Sequence, residues 1–323
     1  MSASSKRSSA YFDLCAAMVI VGSSAVSGKL VIAELPVFLA MGIRFLIASL
    51  AAMAVLKWRE GALLPRLTLR SWLVFLAQAC CGVLIFNALL LWGLKYTSAA
   101  HAGLITATTP ACMGLMAWAF LRERPGWRTV LGILAAVAGV AVLNLAEVGG
   151  SSLESGDNPL FGNLLVLGAV VGESAFLLLR KGIRQAVSPL GAATAVSLAG
   201  LVLFLPGAAV QSIGFDFAAI SGPVWGVLVY YGLCVSVLAY LFWFRGIVQV
   251  SGQVAGVFTG VMPVSALVLS ALVLGEPLGW EHLAGLGLVL AAILLTSLQA
   301  NGRKNQTRQA RAMSGRAETS RSR

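Results

Sequence analysis

The chain has 323 residues, 59% of them hydrophobic and only 11% charged, with a mean hydropathy of +0.89 and a formal net charge of +11. A soluble domain carries about a quarter charged residues, so this composition excludes one and identifies an integral membrane protein. The tail after Asn301 holds seven Lys/Arg and one Glu, so the basic charge is concentrated at the C-terminal end and says little about the membrane body.

Ten stretches reach the roughly 20 mostly apolar residues that a helix needs to cross a bilayer. In order they are 12–31, 36–56, 71–94, 98–121, 127–146, 160–180, 189–210, 223–244, 249–274 and 280–299. Their length and lack of alternation select helices over barrel strands. Lys6-Arg7 before an apolar run is also how a signal peptide begins. Here the run continues past Gly28, and its counterpart at 162–180 is internal, so it is read as a retained first span.

The loops sort by charge. One side collects Lys6, Arg7, Lys57, Arg59, Arg66, Arg70, Arg122, Arg124, Arg128, Arg180, Lys181, Arg184, Arg245 and the tail. The other carries Lys95, Lys29 and the acids Glu34, Glu147, Glu154, Asp157, Asp216, Glu276 and Glu281. That asymmetry predicts ten crossings with both termini in the cytoplasm.

One stretch is written twice. Gly93 to Gly132 aligns without a gap on Gly246 to Gly285, a shift of 153, with 11 of 40 positions identical. The matches include the scarce pairs Pro110/Pro263, Glu123/Glu276 and Trp127/Trp280, and Pro36/Pro189 keeps the same shift. An internal duplication follows. Each copy holds five spans, an odd number, so the second crosses the membrane with opposite orientation. The expected fold is therefore all-α, ten transmembrane helices as two inverted five-helix repeats, an architecture that places a substrate site near the midplane between the halves. The expected units are a first repeat over 1–147, an outer linker over 148–159, a second repeat over 160–300 and a disordered basic cytoplasmic tail over 301–323. The tail reads as a solvated segment near anionic lipid, with no nucleic-acid partner.

Motif residues occur along both halves: Gly22-Ser23-Ser24, Pro36, Arg44-Phe45, Leu94-Lys95-Tyr96-Thr97-Ser98-Ala99 leading to Pro110, Arg122-Glu123 before Trp127, then Arg180-Lys181, Pro189, Ser251, Pro263 and Gly275-Glu276. Over nearly its whole length the chain resembles the EamA branch of the drug/metabolite transporter superfamily. The resemblance implies an exporter of amino acids or other small metabolites in the bacterial inner membrane. It leaves the substrate open, because the superfamily also moves sugars, nucleotide sugars and quaternary amines.

Glu173 is the only acidic residue deep in any predicted span. A carboxylate at that depth is costly unless it faces water or a partner. It is a candidate for proton coupling or for contact with a substrate amine, or else a carboxyl bonded between helices, with Ser23 or Ser24 as partners. Arg44 also lies within the membrane; it either faces a substrate carboxylate, pairs with Glu173, or clamps neighbouring backbone carbonyls, and the clamp is favoured. Asn87 either orients a polar substrate or joins helices. Trp92 and Trp243, with Tyr240, are candidates to wall the path, although aromatic residues near span ends also serve as interfacial anchors. His101 near the outer end of span four is a titratable candidate. Thr106, Thr108, Thr109 with Pro110, and Thr259 with Pro263, mark one site in both repeats. Proline frees a helix carbonyl, so with Gly103 and Gly256 nearby these read as paired hinges or as tolerated kinks. Glu123 and Glu276 are expected to cap helices or pair with loop cations.

Five cysteines inside apolar segments make no disulfide framework. There is no phosphate-binding Gly-rich loop with Lys, no metal-ligand spacing between His101 and His282 and no nucleophile with a paired base; neither cofactor nor enzyme activity is expected. The expected cavity is built from spans one, three, four, six, eight and nine, with spans five and ten, which carry Gly132, Gly139, Gly285 and Gly287, buttressing it or forming a homodimer. Alternating access fits this layout. A facilitative importer, and a non-transporting sensor or assembly partner, remain as alternatives.

Overall fold

The computed structural model describes residues 3–121, 127–148, 158–179, 185, 187–247, 249 and 258–295. Among the described residues every regular element is a helix. The first half runs α1 (Ala3–Gly22), α2 (Ser24–Ile32), α3 (Val37–Glu60), α4 (Leu69–Ala79), a π-helical turn (Cys80–Ile85), α5 (Phe86–Gly93), α6 (Ala99–Thr106), α7 (Thr109–Leu121) and α8 (Trp127–Val148). The second half runs α9 (Pro159–Leu179), α10 (Pro189–Ser212), a short 3-10 turn (Phe217–Ala219), α11 (Gly222–Tyr230), a second π-helical turn (Tyr231–Leu238), α12 (Ala239–Ile247), α13 (Val261–Leu274) and α14 (Trp280–Leu295). Residues 149–157 of the predicted linker, and the basic tail, lie outside the described residues.

Seven helical stretches are long and apolar enough to cross a membrane: Ser9–Ile32, Val37–Glu60, Leu69–Gly93, Ala99–Phe120, Pro159–Phe176, Pro189–Ser212 and Gly222–Trp243. Three shorter apolar helices are Val130–Val142, Val261–Leu274 and Trp280–Leu295. Each overlaps one of the ten predicted stretches. The surface is apolar: Leu50, Leu73, Leu134, Leu164, Val202, Leu205, Val210, Leu272 and Leu283 are exposed. Polar side chains are inside: Asp13, Arg44, Gln78, Asn87, Asn163 and Thr194 are buried. That inversion of a soluble protein is what a bundle in hydrocarbon requires.

Helix ends are fixed by local chemistry. Ser98 accepts from the His101 N–H at 3.0 Å and Ser188 from the Gly191 N–H at 2.9 Å, each supplying an acceptor to an orphan donor of the first turn. Gly275 ends α13 at φ 68°, a left-handed conformation that costs a residue without Cβ nothing. Glu276, next in the chain, accepts from the N–H groups of Ala99 and Ala100 at 2.9 and 3.0 Å. A carboxylate there satisfies two orphan donors of α6 and meets the positive end of its dipole.

Several spans are interrupted, two of them at the Thr-Pro segments read from the sequence as hinges or kinks. Span one breaks at Ser23. Its Oγ donates to the Ile20 carbonyl at 2.6 Å and lies 2.7 Å from Tyr230 Oη. Span four breaks at Ala107–Thr108, and the second half turns at Thr259–Gly260, close to the same place under the 153-residue shift. The π turn at 80–85 shifts onto 233–238, inside Tyr231–Leu238. Periodicity of apolar residues does not register such breaks, because a π turn adds one residue to a turn without changing composition.

The broken first span is pinned at both ends. Asp13 of α1 is fully buried and accepts from Arg245 of α12 in a bidentate pair, at 2.7 Å from Nε and 2.5 Å from Nη2. Lys29 of α2 donates to Glu276 Oε1 at 2.7 Å. Elsewhere α3 packs along α10, and α5 along α9. Of the glycines in the predicted buttress, Gly139 lies against Gly285 and Val289, whereas Gly287 borders open space.

Removing the Arg245 side chain leaves Asp13 buried without its donors. Arg245→Ala is expected to cost about 1–3 kcal/mol of stability, read as a lower melting temperature in detergent. The Arg245 side chain is 61% exposed, which keeps the loss below that of a fully buried pair. Combining it with Asp13→Asn should recover part of the loss; a melting temperature unchanged by Arg245→Ala alone would show that water takes over from the guanidinium.

Candidate functional site

A cavity of about 470 Å³ lies within the bundle. Its walls come from spans one, three, four, six, eight, nine and ten, and also from spans two and seven through Arg44, Phe45, Ala193, Val196 and Ser197. The predicted set of six spans is therefore too small, because α3 and α10, packed together, turn a shared face inward. Most of the lining is apolar or aromatic, including Met18, Phe86, Met113, Phe176, Tyr240 and Trp243. A smaller cleft of about 220 Å³ lies near Glu60, Arg66 and Ser188 at the loop between α3 and α4, away from these groups.

Arg44 forms the polar end of one wall. It is 8% exposed. Its Nε donates to Ser236 Oγ at 3.0 Å and its Nη1 to Asn87 Oδ1 at 2.8 Å, with Met41 Sδ 3.7 Å from Nη1. The Tyr231 ring centroid is 3.8 Å from Cζ, and that of Phe45 is 5.1 Å away, distances at which an aromatic face attracts a guanidinium. Both acceptors are tied to π turns: Asn87 Nδ2 donates to the Val83 carbonyl at 2.7 Å, and Ser236 Oγ to the Tyr231 carbonyl at 3.2 Å. The expected clamp on backbone carbonyls is thus indirect, acting through Asn87 and Ser236. The alternative pairing of Arg44 with Glu173 is not made; Arg44 is held by neutral acceptors and rings instead.

Glu173 of α9 lines the cavity and is partly buried. Its Oε2 lies 2.6 Å from Thr109 Oγ1. Ser23 and Ser24, the partners considered from the sequence, do not bond it: Ser23 is held by Ile20 and Tyr230, while Ser24 lines the cavity separately. Thr109 Oγ1 also lies 2.7 Å from the Thr106 carbonyl oxygen. Thr106 lines the cavity, with its own hydroxyl donated to the Gly103 carbonyl at 3.0 Å. Gly103 sits where a Cβ would come within 2.4 Å of the Ala266 Cβ, so α6 approaches α13 closely.

Several predicted path residues stand elsewhere. Trp92 is 40% exposed on the outside of the bundle, edge-on to Phe38; it falls two positions past the counterpart of Trp243, enough to turn it away from the cavity. His101 is buried outside the cavity, its ring 4.7 Å from that of His282 and nearly parallel. The sequence separates these two histidines by repeat, and the fold joins them through this ring contact between α6 and α14. Gly279 N–H donates to His282 Nδ1 at 3.1 Å, and Glu281 Oε1 lies 3.3 Å from the same nitrogen. Asn87, Thr259, Tyr240 and Trp243 line the cavity, Pro263 is buried in α13, and Pro110 is the second residue of α7. Glu123 and Gly256 lie outside the described residues. Sequence reasoning missed Tyr231 and Ser236 as partners of Arg44, Thr109 as the partner of Glu173, and the pairing of Asp13 with Arg245. Only the last left a signal, an acid and a cation facing the same side from spans one and eight.

The model of the EamA-like transporter family matches residues 8–145 and again 160–298. The chain belongs to the EamA-like transporter family. Relatives agree: the "Uncharacterized transporter YetK" of Bacillus subtilis (strain 168) is 40% identical over 294 residues, 91% of this chain and 88% of that one. A "Probable terminal-alkyne amino-acid exporter" of Streptantibioticus cattleyicolor is 27% identical over 225 residues, 70% of this chain and 73% of that one. A solved crystal structure shares the fold with a TM-score of 0.63 at 21% identity, covering 91% of this chain and 98% of that one. The EamA-like chain is thus a multi-pass membrane transporter, and its cavity is the natural place for a transported solute.

Arg44→Lys keeps the charge but replaces a planar fork by a point donor. One of Asn87 and Ser236 then loses its donor, and the stacking on Tyr231 is lost. A loss of about 1–3 kcal/mol is expected, measured as a lowered melting temperature. Equal stability of Arg44→Lys would mean that the two acceptors do not need the guanidinium.

Proposed function

We propose that this EamA-family transporter is a secondary exporter of amino acids or related small metabolites, working by alternating access in the bacterial inner membrane. The carrying observation is the largely apolar cavity within the bundle with a carboxyl group, Glu173, on its wall. In this reading the ten apolar helices form two inverted five-helix repeats with both termini in the cytoplasm. The recurrence of π turns and helix breaks under one 153-residue shift supports the duplication, and the loop charges support the orientation. The two repeats rock against each other, hinging at the Thr-Pro segments around Pro110 and Pro263. Glu173 couples transport to protons, since transfer out of water favours the neutral form of a carboxylic acid and a water-filled path the charged one. The exporter name carried by one relative at 27% identity supports the substrate class. Spans five and ten are the surface proposed for a homodimer.

Reconstitution into proteoliposomes tests this reading. Saturable flux of labelled amino acids, accelerated by an imposed pH gradient, is the expected result. Glu173→Gln should lower gradient-driven flux by at least about tenfold. Unaltered, gradient-sensitive flux in Glu173→Gln removes the coupling role, and tags on opposite faces of the membrane at the two termini remove the ten-span arrangement.

A further inference from the structure

With Glu173 ionised, the acceptors around Thr109 outnumber their hydrogens. Pro110 has no N–H, so the carbonyl four residues back, that of Thr106, lacks its helix donor. Thr109 Oγ1 stands in for it at 2.7 Å, yet the same oxygen is 2.6 Å from Glu173 Oε2. A hydroxyl has one hydrogen. With Glu173 ionised, Thr109 can serve the carboxylate or the carbonyl, and the other is left without a donor at the cavity wall. Three oxygens of Glu173, Thr109 and Thr106 therefore converge with one hydrogen and one negative charge between them.

We propose that Glu173, Thr109 and the Thr106 carbonyl form a binding site for a primary ammonium group, the head of a substrate whose apolar or aromatic body fills the rest of the cavity. This rests on the transporter reading above and narrows its substrate. A primary ammonium carries three N–H donors and a positive charge, which matches the three acceptors and the carboxylate. All three residues border the cavity. The body meets Phe86, Met113, Phe176 and Trp243, surfaces suited to apolar and aromatic groups. A substrate carboxylate is served less well: Arg44 lines the cavity, but two of its donor nitrogens are already engaged. Arg44 is buried, its Nε and Nη1 are directed at Ser236 and Asn87, and its face is under Tyr231. The amine, not the acid, is the group that is read, so a decarboxylated amino acid binds at least as well as its parent. Pro110 acts here as a positioning residue, through the carbonyl it frees.

The test uses the full-length protein in detergent, with binding read as ligand-dependent thermal stabilisation. The ligands are phenethylamine, phenylalanine, 3-phenylpropionate and N,N,N-trimethylphenethylammonium. Phenethylamine and phenylalanine should stabilise the protein; the acid, which lacks the amine, and the quaternary amine, which lacks N–H donors, should not. Glu173→Gln and Thr109→Val should each weaken phenethylamine binding by about tenfold or more, the loss of one charged hydrogen bond. Pro110→Ala, which gives the Thr106 carbonyl a backbone donor without altering charge, should weaken it severalfold. Each variant's unliganded melting and monodispersity check its folding, and Glu173→Asp substitutes if Glu173→Gln does not fold, with partial retention expected. Stabilisation by 3-phenylpropionate or the quaternary amine equal to that by phenethylamine overturns the site. So does unchanged amine affinity in Glu173→Gln, or no stabilisation by any amine. Proteoliposome flux separates the two readings: solute flux without amine binding sinks the ammonium site alone, and amine binding without any flux sinks the transporter reading.

Discussion

Arg44 holds the cavity in shape. A guanidinium inside a membrane bundle is tolerated only where its donors and charge are answered, and here the answer comes from three other parts of the chain. Asn87 follows the first π turn, Ser236 lies within the second, and Tyr231 covers the guanidinium face. Each acceptor spends its own hydrogen on a carbonyl of its π turn. The widened turns expose carbonyls that a regular helix would satisfy, the side chains satisfy them, and Arg44 joins the two side chains. One cation on α3 thereby fixes the facing of spans three and eight, which carry Phe86, Tyr240 and Trp243 into the cavity.

The interior follows the same rule at several helix interruptions among the described residues. Ser23 covers the break in span one, Thr106 and Thr108 donate to carbonyls three residues back around the break in span four, and Glu276 receives the N–H groups at the start of α6. In hydrocarbon no water completes these bonds, so irregular backbone survives only where it borders a cavity or is served by a side chain. The Glu173–Thr109 contact departs from this economy. With Glu173 ionised, the acceptors there exceed the donors, and the deficit borders the cavity.

Much of this was legible in the sequence, for physical reasons. Apolar run length marks helices in a bilayer, and scarce residues such as Pro110, Trp127 and Glu276, each matched 153 positions away, reveal the duplication. The cost of a buried carboxylate singled out Glu173 before any geometry was known. What composition does not encode is rotation about the helix axis. Trp92 and Trp243 read alike, yet one faces outward and the other inward. His101 and His282, 181 positions apart in the chain, meet because α6 packs near α14, and no local pattern announces that. The π turns are silent for a related reason: CCGVLI and YGLCVSVL are ordinary apolar segments, and nothing in their composition marks an extra residue per turn.

The first span shows how such a bundle can be firm and still move. Its first half is fastened to α12 by Asp13 and Arg245, its second half to the end of α13 by Lys29 and Glu276. Between them lies Ser23, where the helix is already interrupted and Tyr230 supplies the bond that the backbone gives up. The two ion pairs anchor to different neighbours. A displacement of α12 relative to α13 must therefore either break a buried or half-buried pair or bend the span at Ser23. Breaking the Asp13 pair strands a fully buried carboxylate, whereas bending at an existing interruption exchanges one hydroxyl bond for another. The bend is the cheaper route, and the break in span one lies next to Ser24 at the cavity edge.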